Sequence, residues 1–212
     1  MCLLLNLCKY LRMNRQQQKQ QTRQRIISSA FQLLDEHKSL TAISLREVAR
    51  AANIAPTSFY RHFADINELG LTLVDEAGLT LRQLMRQARK RFSKGGSVIS
   101  ISVDTFMEFI VNNRNVFRVL LREHTGTSFA FRTAVMREIQ HFTEELSAYI
   151  VATLHVPSSV ASLQAEAMVK LVFSAGAEAL DSDEKEVKEI AERVKVQLRF
   201  IQLGASEYSR KL

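Results

Sequence analysis

The stretch from Ser44 to Phe63 constrains the fold of this chain more than any other. Ser44 is followed three residues later by Glu47, which forms a capping box: each side chain satisfies a free backbone amide of the other residue at the start of a helix. Apolar residues then recur at helical spacing. They are Leu45, Val48, Ala49 and Ala52. We therefore predict a short helix with one apolar face.

A tight turn and a second short helix follow. Asn53 tolerates the left-handed backbone conformation that ends a helix, and Pro56 suits the first turn of a new one. Phe59 and Phe63 lie four residues apart, so we expect them to be buried together. The outer face is then polar, with Thr57, Ser58, Tyr60, Arg61 and His62. Two short helices with such a face indicate a helix-turn-helix.

The excess positive charge of the chain lies around this motif. Residues 1–64 hold ten basic and three acidic side chains, whereas residues 65–212 hold nineteen of each, so the whole formal excess of +7 lies in the first part. A basic block is often only a solvated surface. Its confinement to the segment with a helix-turn-helix favours a surface that binds DNA phosphates.

The remaining sequence predicts an all-α protein. Two prolines and seven glycines in 212 residues are few, and no segment alternates between apolar and polar residues as a strand would. We expect about nine helices, three in a DNA-binding domain at residues 22–64 and six in a domain at residues 65–212. Residues 1–21 are predicted to be a tail, with a mobile arm at 15–21 and Thr22 capping the first helix.

The N-terminal residues offer few chemical possibilities. Cys2 and Cys8 lie within the first eight residues, so they provide neither a disulfide framework nor a zinc-ligand set, and a cytoplasmic location fits. Residues 1–11 are apolar but too short for a signal peptide or a membrane span, so no membrane partner is expected. Residues 1–12 are interpreted as a disordered tail or as a mispredicted start before Met13.

The sequence contains no pattern typical of an enzyme. It has no glycine-rich phosphate loop, no nucleophile elbow and no cluster of metal-ligand residues. His141 and Glu145 lie four residues apart on one predicted helix, but no third metal ligand accompanies them. We therefore predict no catalytic residues, no metal and no cofactor.

Phenylalanine and methionine are abundant in the middle of the chain. Seven of the twelve phenylalanines lie between Phe92 and Phe142. An ordinary helical core is the simpler explanation of this composition, and an apolar cavity for a flexible hydrophobic ligand is the alternative. The candidate lining residues are Phe106, Phe109, Phe117, Leu121, Phe131 and Phe142. Two cations, Arg118 and Arg122, are candidates for binding an acidic head group or are simply surface residues.

Several residues of the motif occur together in a known family. They are Ser44, Val48, Ala49, Ala52, Ile54, Tyr60, His62 and Phe63, with Glu68 and Leu69 opening the following helix. In these positions the chain resembles TetR-family transcriptional regulators, and most closely those that repress unsaturated fatty acid synthesis. The similarity runs from Thr22 to about Leu203 and includes Leu81–Arg89 and Gln164–Leu180.

The resemblance implies a TetR-like fold and a homodimer that binds a palindromic operator. The last two predicted helices, at about 163–180 and 184–205, would form the dimer interface. The resemblance also implies repression of genes for unsaturated fatty acid synthesis. The effector would be a long-chain acyl thioester, carried on coenzyme A or on acyl carrier protein.

The motif and the resemblance together predict how DNA is contacted. Thr57, Ser58 and Tyr60 are expected to reach base edges in the major groove, and Arg46 and Arg61 to bind phosphate or guanine. Contacts to the DNA backbone are assigned to Thr22, Tyr60 and His62. Two alternatives remain open. One is an acyl-handling enzyme or carrier that also binds DNA, and the other is a repressor of an efflux operon that responds to a different hydrophobic ligand.

Overall fold

The structure, a computed structural model, describes residues 2–34, 38–91, 97–123 and 127–211, without the side chains of residues 2–14, 91, 122 and 123. Within these ranges it contains nine α-helices, one 3-10 turn at Leu40–Ala42 and no strand, which confirms the all-α prediction. The helices are α1 Cys2–Leu33, α2 Leu45–Ala51, α3 Pro56–Phe59, α4 Ile66–Arg91, α5 Val98–Asn112, α6 Arg114–Glu123, α7 Phe129–Leu154, α8 Ser158–Ala179 and α9 Glu184–Ser209. The chain divides into two compact units, Met1–Leu73 and Val74–Leu212.

The first unit is built around the apolar stripe of α1. Ile26, Ile27 and Ala30 of this helix are buried, and α1 packs against α2, which in turn packs against α3. Val48 of α2 and Phe59 of α3 are fully buried. The predicted apolar faces of α1 and the helix-turn-helix therefore form one small core.

The start of α1 differs from the prediction. The helix already includes residues 15–21, and Thr22 lies inside it rather than at its cap. The Thr22 hydroxyl donates to the carbonyl of Gln18 at 2.9 Å, a bond within the helix. Gln, Lys and Arg, which dominate this segment, are good helix formers, and no glycine or proline interrupts them.

The second unit contains the last eighteen residues of α4 and the five helices that follow. Its packing is dominated by the pairs α7 with α8, α8 with α9 and α5 with α9. α8 begins at Ser158, five residues before the predicted start at Leu163. Pro157 is its N-cap residue, and Ser158, Ser159 and Ser162 lie in its first turns. A serine costs little in a helix, so these residues do not delay its start.

Some predictions fall outside the described residues. Phe92, one of the phenylalanines counted above, lies there, as does the side chain of Arg122, one of the two candidate cations. Across the part of the chain that is described, no helix is both long enough and apolar enough to cross a membrane.

Candidate DNA-binding surface and ligand cavity

The start of α2 is fixed by the predicted capping box. The Ser44 hydroxyl accepts from the Glu47 amide at 3.3 Å, and the Glu47 carboxylate accepts from the Ser44 amide at 3.0 Å. Lys38 donates a further hydrogen bond to this carboxylate at 2.6 Å. The hydrogen bond from Lys38, followed by those from Ser44, lowers the pKa of Glu47 to about 2. Glu47 is therefore a permanent carboxylate at neutral pH.

The turn after α2 is closed by two backbone hydrogen bonds. Asn53 adopts a left-handed conformation, with φ of 53°, as its sequence position predicts. Its amide donates to Arg50 at 3.1 Å, and the amide of Ile54 donates to Ala49 at 2.9 Å. This pair of bonds is a Schellman motif, which satisfies the last carbonyls of a helix. α3 then begins at Pro56.

The predicted DNA-contacting residues lie on the outside of this motif. Phe59 is fully buried and its ring centroid lies 5.5 Å from that of Phe63, as expected from their spacing. Tyr60 is 62% exposed. Thr57, Arg61 and Arg46 are exposed too, whereas Ser58, His62 and Thr22 are half-buried. α3 spans only four residues, so Tyr60 and Arg61 follow its end and are not inside it.

Arg23 is a residue of this unit that the sequence analysis missed. Its guanidinium donates to the backbone carbonyl of His62 and lies 4.0 Å from the centroid of the Phe63 ring. The side chain therefore joins α1 to the segment that follows α3. Arg23 precedes the buried Ile26 by three residues and so lies on the same face of α1, which is the signal that would have indicated it.

The His62 side chain is held in its neutral form. Burial lowers its pKa, and the nearby charges of Lys19, Arg23 and Arg61 lower it further. Its Nδ1 atom is buried and has no hydrogen-bond partner within the described ranges. In the protein without DNA the imidazole is therefore mainly neutral at neutral pH and can donate one N–H hydrogen bond.

The second unit contains an apolar cavity of about 110 Å³ that is lined by α4, α5, α7, α8 and α9. Its wall is formed by Leu81, Met85, Arg89, Val98, Ile99, Ser102, Val103, Phe106, Phe142, Leu146, Met168, Val169, Val172, Phe173 and Leu198. A second cavity, of about 340 Å³, shares four of these residues: Val98, Ile99, Leu146 and Met168. Its other residues include the polar Tyr149, Thr153, Gln164 and Gln202. An apolar space thus adjoins a more polar one.

Two of the predicted ligand-binding residues, Phe106 and Phe142, lie in the wall of the apolar cavity. Phe117 is buried behind Phe106, with the ring centroids 5.3 Å apart, and it makes a similar edge contact with Phe109. Phe131 is also buried, and Leu121 is half-buried, but neither belongs to the two cavity walls. These residues are therefore placed in the surrounding core.

The predicted cation Arg118 lies away from both cavities. It is paired with Asp181 at 3.5 Å and donates to the Asn115 side chain at 3.1 Å. The cavity wall instead contains Arg89 from α4, together with Met168 and Phe173 from α8, which the sequence analysis did not select. These residues come from α4 and α8, far apart in sequence, so no local pattern identifies them.

A cluster of ion pairs connects α4 and α7 beside this wall. Arg86 binds the Glu145 carboxylate through two nitrogens, one of them at 2.9 Å, and the pKa of Glu145 is lowered chiefly by this hydrogen bond. Arg82 pairs with the buried Glu138 and lies 3.7 Å from Glu145. Arginines thus surround Glu145, so it is poorly placed to bind a metal with His141. The described side chains contain no group of three metal-binding residues.

Comparisons with known proteins match both units. The model of bacterial regulatory proteins of the tetR family matches residues 26–71. The model of the tetracyclin repressor-like C-terminal domain matches residues 96–204, more than half of the chain.

Solved structures with similar folds include proteins with bound ligands. A tetR-family transcriptional regulator from Streptomyces coelicolor has 18% identity, covers 91% of this chain and 85% of its own, and gives a TM-score of 0.70. FadR from Bacillus subtilis in complex with stearoyl-CoA has 11% identity, 82% and 96% coverage, and a TM-score of 0.62. The multidrug binding protein EbrR complexed with malachite green has 17% identity, 84% and 96% coverage, and a TM-score of 0.65. At these identities the similarity establishes the fold.

Proposed function

Since the chain belongs to the TetR family of bacterial transcriptional regulators, we propose that it is a repressor whose affinity for its operator is set by a hydrophobic ligand. The observation that carries the proposal is the arrangement around α3. Exposed polar side chains stand there on a buried phenylalanine pair, as an element that enters the major groove requires. No catalytic role is part of the proposal.

DNA recognition is assigned to the outer face of α2 and α3. Thr57 and Tyr60 are exposed where base edges would lie, with Ser58 beside them, and Arg46 and Arg61 provide the charge for phosphate or guanine. Thr22, Tyr60 and the neutral His62 would hydrogen-bond to the DNA backbone. Phosphate contacts supply affinity that falls with salt, whereas base contacts supply the choice of sequence.

The repressor is proposed to act as a homodimer through α8 and α9. Phe200 and Leu203 on α9 are each 67% exposed, and Val196 lies on the same face. Leu163 on α8 is exposed to the same extent. Large apolar side chains in a row on a surface are typical of an interface with another protein. A two-fold dimer would present two DNA-binding units to the half-sites of a palindrome.

The regulated genes are proposed to be those of unsaturated fatty acid synthesis, with a long-chain acyl thioester on coenzyme A or acyl carrier protein as the effector. Sequence resemblance to FabR, the repressor of these genes in gamma-proteobacteria, supports this choice, and so does the methionine- and phenylalanine-rich cavity. FadR bound to stearoyl-CoA shares the fold. The cavity is smaller than the 300–1,000 Å³ of typical ligand sites, so an acyl chain must displace flexible residues such as Met85 and Met168.

A second candidate keeps the fold and changes the ligand. EbrR, a multidrug binding protein, shares the fold while complexed with malachite green. The wall of the apolar cavity is suited to any flexible hydrophobic molecule. A drug or another amphiphile that controls an efflux operon is therefore the alternative effector.

Fluorescence anisotropy on promoter DNA of an unsaturated fatty acid synthesis gene tests the proposal. Affinity is measured at fixed salt without ligand, with palmitoyl-CoA and with palmitoleoyl-CoA. A ligand changes DNA affinity only if it binds two conformations of the dimer differently, and couplings of about 1–3 kcal/mol are typical. We expect the two thioesters to change the affinity by different amounts, about 5-fold or more for one of them.

Two other results separate the parts of the proposal. If DNA binds but neither thioester changes the affinity, the acyl effector is wrong and the DNA-binding regulator stands. If the promoter binds no better than unrelated DNA, the assignment of these genes is wrong. An operator with shuffled half-sites serves as the control for sequence-independent binding.

A further inference from the structure

Arg89 is a cation placed in the wall of an apolar cavity. Its side chain is only 13% exposed, and the same wall contains Phe142, Leu146 and Phe173. Burial lowers the pKa of the guanidinium relative to that of a free arginine, although the group remains charged at neutral pH. A charge in such surroundings is costly unless a partner compensates it.

The compensation that the described residues give Arg89 is weak. Its nearest carboxylate is Glu145, at 3.6 Å, which is longer than a hydrogen bond. Glu145 already accepts two hydrogen bonds from Arg86 and lies 3.7 Å from Arg82. One carboxylate is thus shared among three guanidinium groups, and its hydrogen bonds go to Arg86 and not to Arg89.

The position of the guanidinium matches the boundary between the two cavities. Arg89 lines the apolar cavity, and its Cζ atom lies 5.7 Å from the ring centroid of Tyr149, which lines the more polar one. Val98, Ile99 and Leu146 are common to both walls. A ligand whose chain fills the apolar cavity would therefore place its head group beside Arg89, with the polar cavity beyond it.

We propose that Arg89 binds the head-group oxygen of a long-chain acyl ligand, the apolar cavity holding the chain. This inference rests on the proposed function and names a binding residue for it. Arginine presents several N–H donors in a plane, which suits the two oxygens of a carboxylate and, more weakly, the carbonyl of a thioester. The shared chemistry is an acyl oxygen at the end of an apolar chain.

Isothermal titration of three proteins with oleate and with oleoyl-CoA tests the assignment. The proteins are the wild type, Arg89→Gln and Arg137→Gln. Arg137 is the matched control, because it is an exposed arginine of α7 that pairs with Asp75 and does not line either cavity. We expect Arg89→Gln to weaken oleate binding by about 10-fold or more, since hydrogen bonds to charged groups are the stronger class. The affinity of the same variant for oleoyl-CoA is expected to fall by only about 3-fold, because a thioester carbonyl is uncharged.

A third variant and a DNA measurement guard against misfolding. Arg89→Lys keeps the charge but not the planar set of donors, so its oleate affinity should fall between those of the wild type and Arg89→Gln. All variants should bind operator DNA like the wild type when no ligand is added. If Arg89→Gln no longer binds DNA, the oleate affinity of Arg89→Lys decides the question. An oleate affinity of Arg89→Lys equal to that of the wild type would then overturn the inference.

The remaining outcomes are distinct. If Arg89→Gln binds each ligand as tightly as Arg137→Gln does, the role of Arg89 is overturned and the proposed function is left intact. If Arg89→Gln loses more affinity for oleoyl-CoA than for oleate, the role of Arg89 is supported and the thioester is identified as the source of the acyl oxygen. If the wild type binds neither ligand, both the acyl effector and the role of Arg89 are wrong.

Discussion

The DNA-binding motif and the ligand cavity differ in how their residues are distributed along the chain. The motif uses the consecutive residues between Ser44 and Phe63, whose structure is set by a capping box, a left-handed asparagine and a helix-starting proline. The cavity draws its wall from five helices, between Leu81 and Leu198. The structure of the motif is thus determined by interactions between residues close in sequence, and that of the cavity by packing between distant segments.

This difference has a consequence for function. The motif has a fixed geometry, because hydrogen bonds at both ends of α2 and the buried Phe59 hold it. The cavity wall contains methionines and a weakly compensated arginine, which suit a site that changes when a ligand enters. Rigidity belongs to the part proposed to bind DNA, and adaptability to the part proposed to bind a ligand.

The largest expected effect comes from disrupting the rigid region, the DNA-binding motif. Phe59→Ala removes a fully buried ring that packs against Phe63, and such changes cost about 3–5 kcal/mol of unfolding free energy. Urea denaturation should show this loss, and operator affinity should fall with it. Phe129→Ala is the control, because that ring is 76% exposed and its removal should change stability little. A similar loss in both variants would contradict the assigned core.

The second effect tests whether the ligand-binding unit contributes to DNA binding by pairing two chains. Phe200→Glu combined with Leu203→Glu places charges on the exposed stripe of α9 and should yield a monomer in analytical ultracentrifugation. Loss of the second DNA-binding unit should weaken operator binding by about 100-fold. Met136→Glu, a change at an exposed methionine of α7, should leave the dimer intact. A dimer in the double variant would rule out this interface.

A smaller effect sharpens the description of the DNA-binding surface. Arg46→Ala or Arg61→Ala should weaken operator binding and lower the slope of log affinity against log salt by about 1 each. Lys185→Ala, an exposed cation on α9, is the control with an unchanged slope. Wild-type slopes in both arginine variants would show that DNA uses another face.

The smallest effect concerns the cap of α2. The pKa of Glu47 is lowered from 4.5 to about 2 by its hydrogen bonds with Lys38 and Ser44, so the folded state binds its proton less readily than the unfolded state. The Glu47 carboxylate therefore makes its full contribution to the free energy of unfolding above pH 4.5, and this contribution is lost as the pH falls toward 2. The stability difference between wild type and Glu47→Gln should shrink across this range in urea titrations. A difference that does not vary with pH would contradict the cap.

The comparison also explains how far the sequence alone could be interpreted. The capping box at Ser44, the left-handed Asn53 and the buried pair of Phe59 and Phe63 follow local rules, and the structure confirms them. The start of α1 was predicted too late, because a segment rich in glutamine, lysine and arginine is polar and yet forms a helix.

The sequence predicts an apolar cavity only as an alternative to an ordinary core, and it identifies only some of the residues that line it. The abundance of phenylalanine in the middle of the chain predicts Phe106 and Phe142 as lining residues, and both lie in the wall. Arg118 lies close to these phenylalanines in sequence, but its side chain is paired with Asp181 instead of lining the cavity. Arg89 was missed, because its position in the wall depends on how α4 packs against α5 and α7, which no local pattern records.

Selection of binding sites from a random pool of double-stranded DNA tests the central claim most directly. The purified wild-type protein is allowed to bind, bound duplexes are amplified, and the enriched sequences are read. The account predicts a palindrome with two half-sites, enriched by the wild type and lost in the variant that carries both Arg46→Ala and Arg61→Ala. Enrichment of no sequence, or an equal result with that variant, would contradict the claim that this chain is a regulator that binds DNA through α2 and α3.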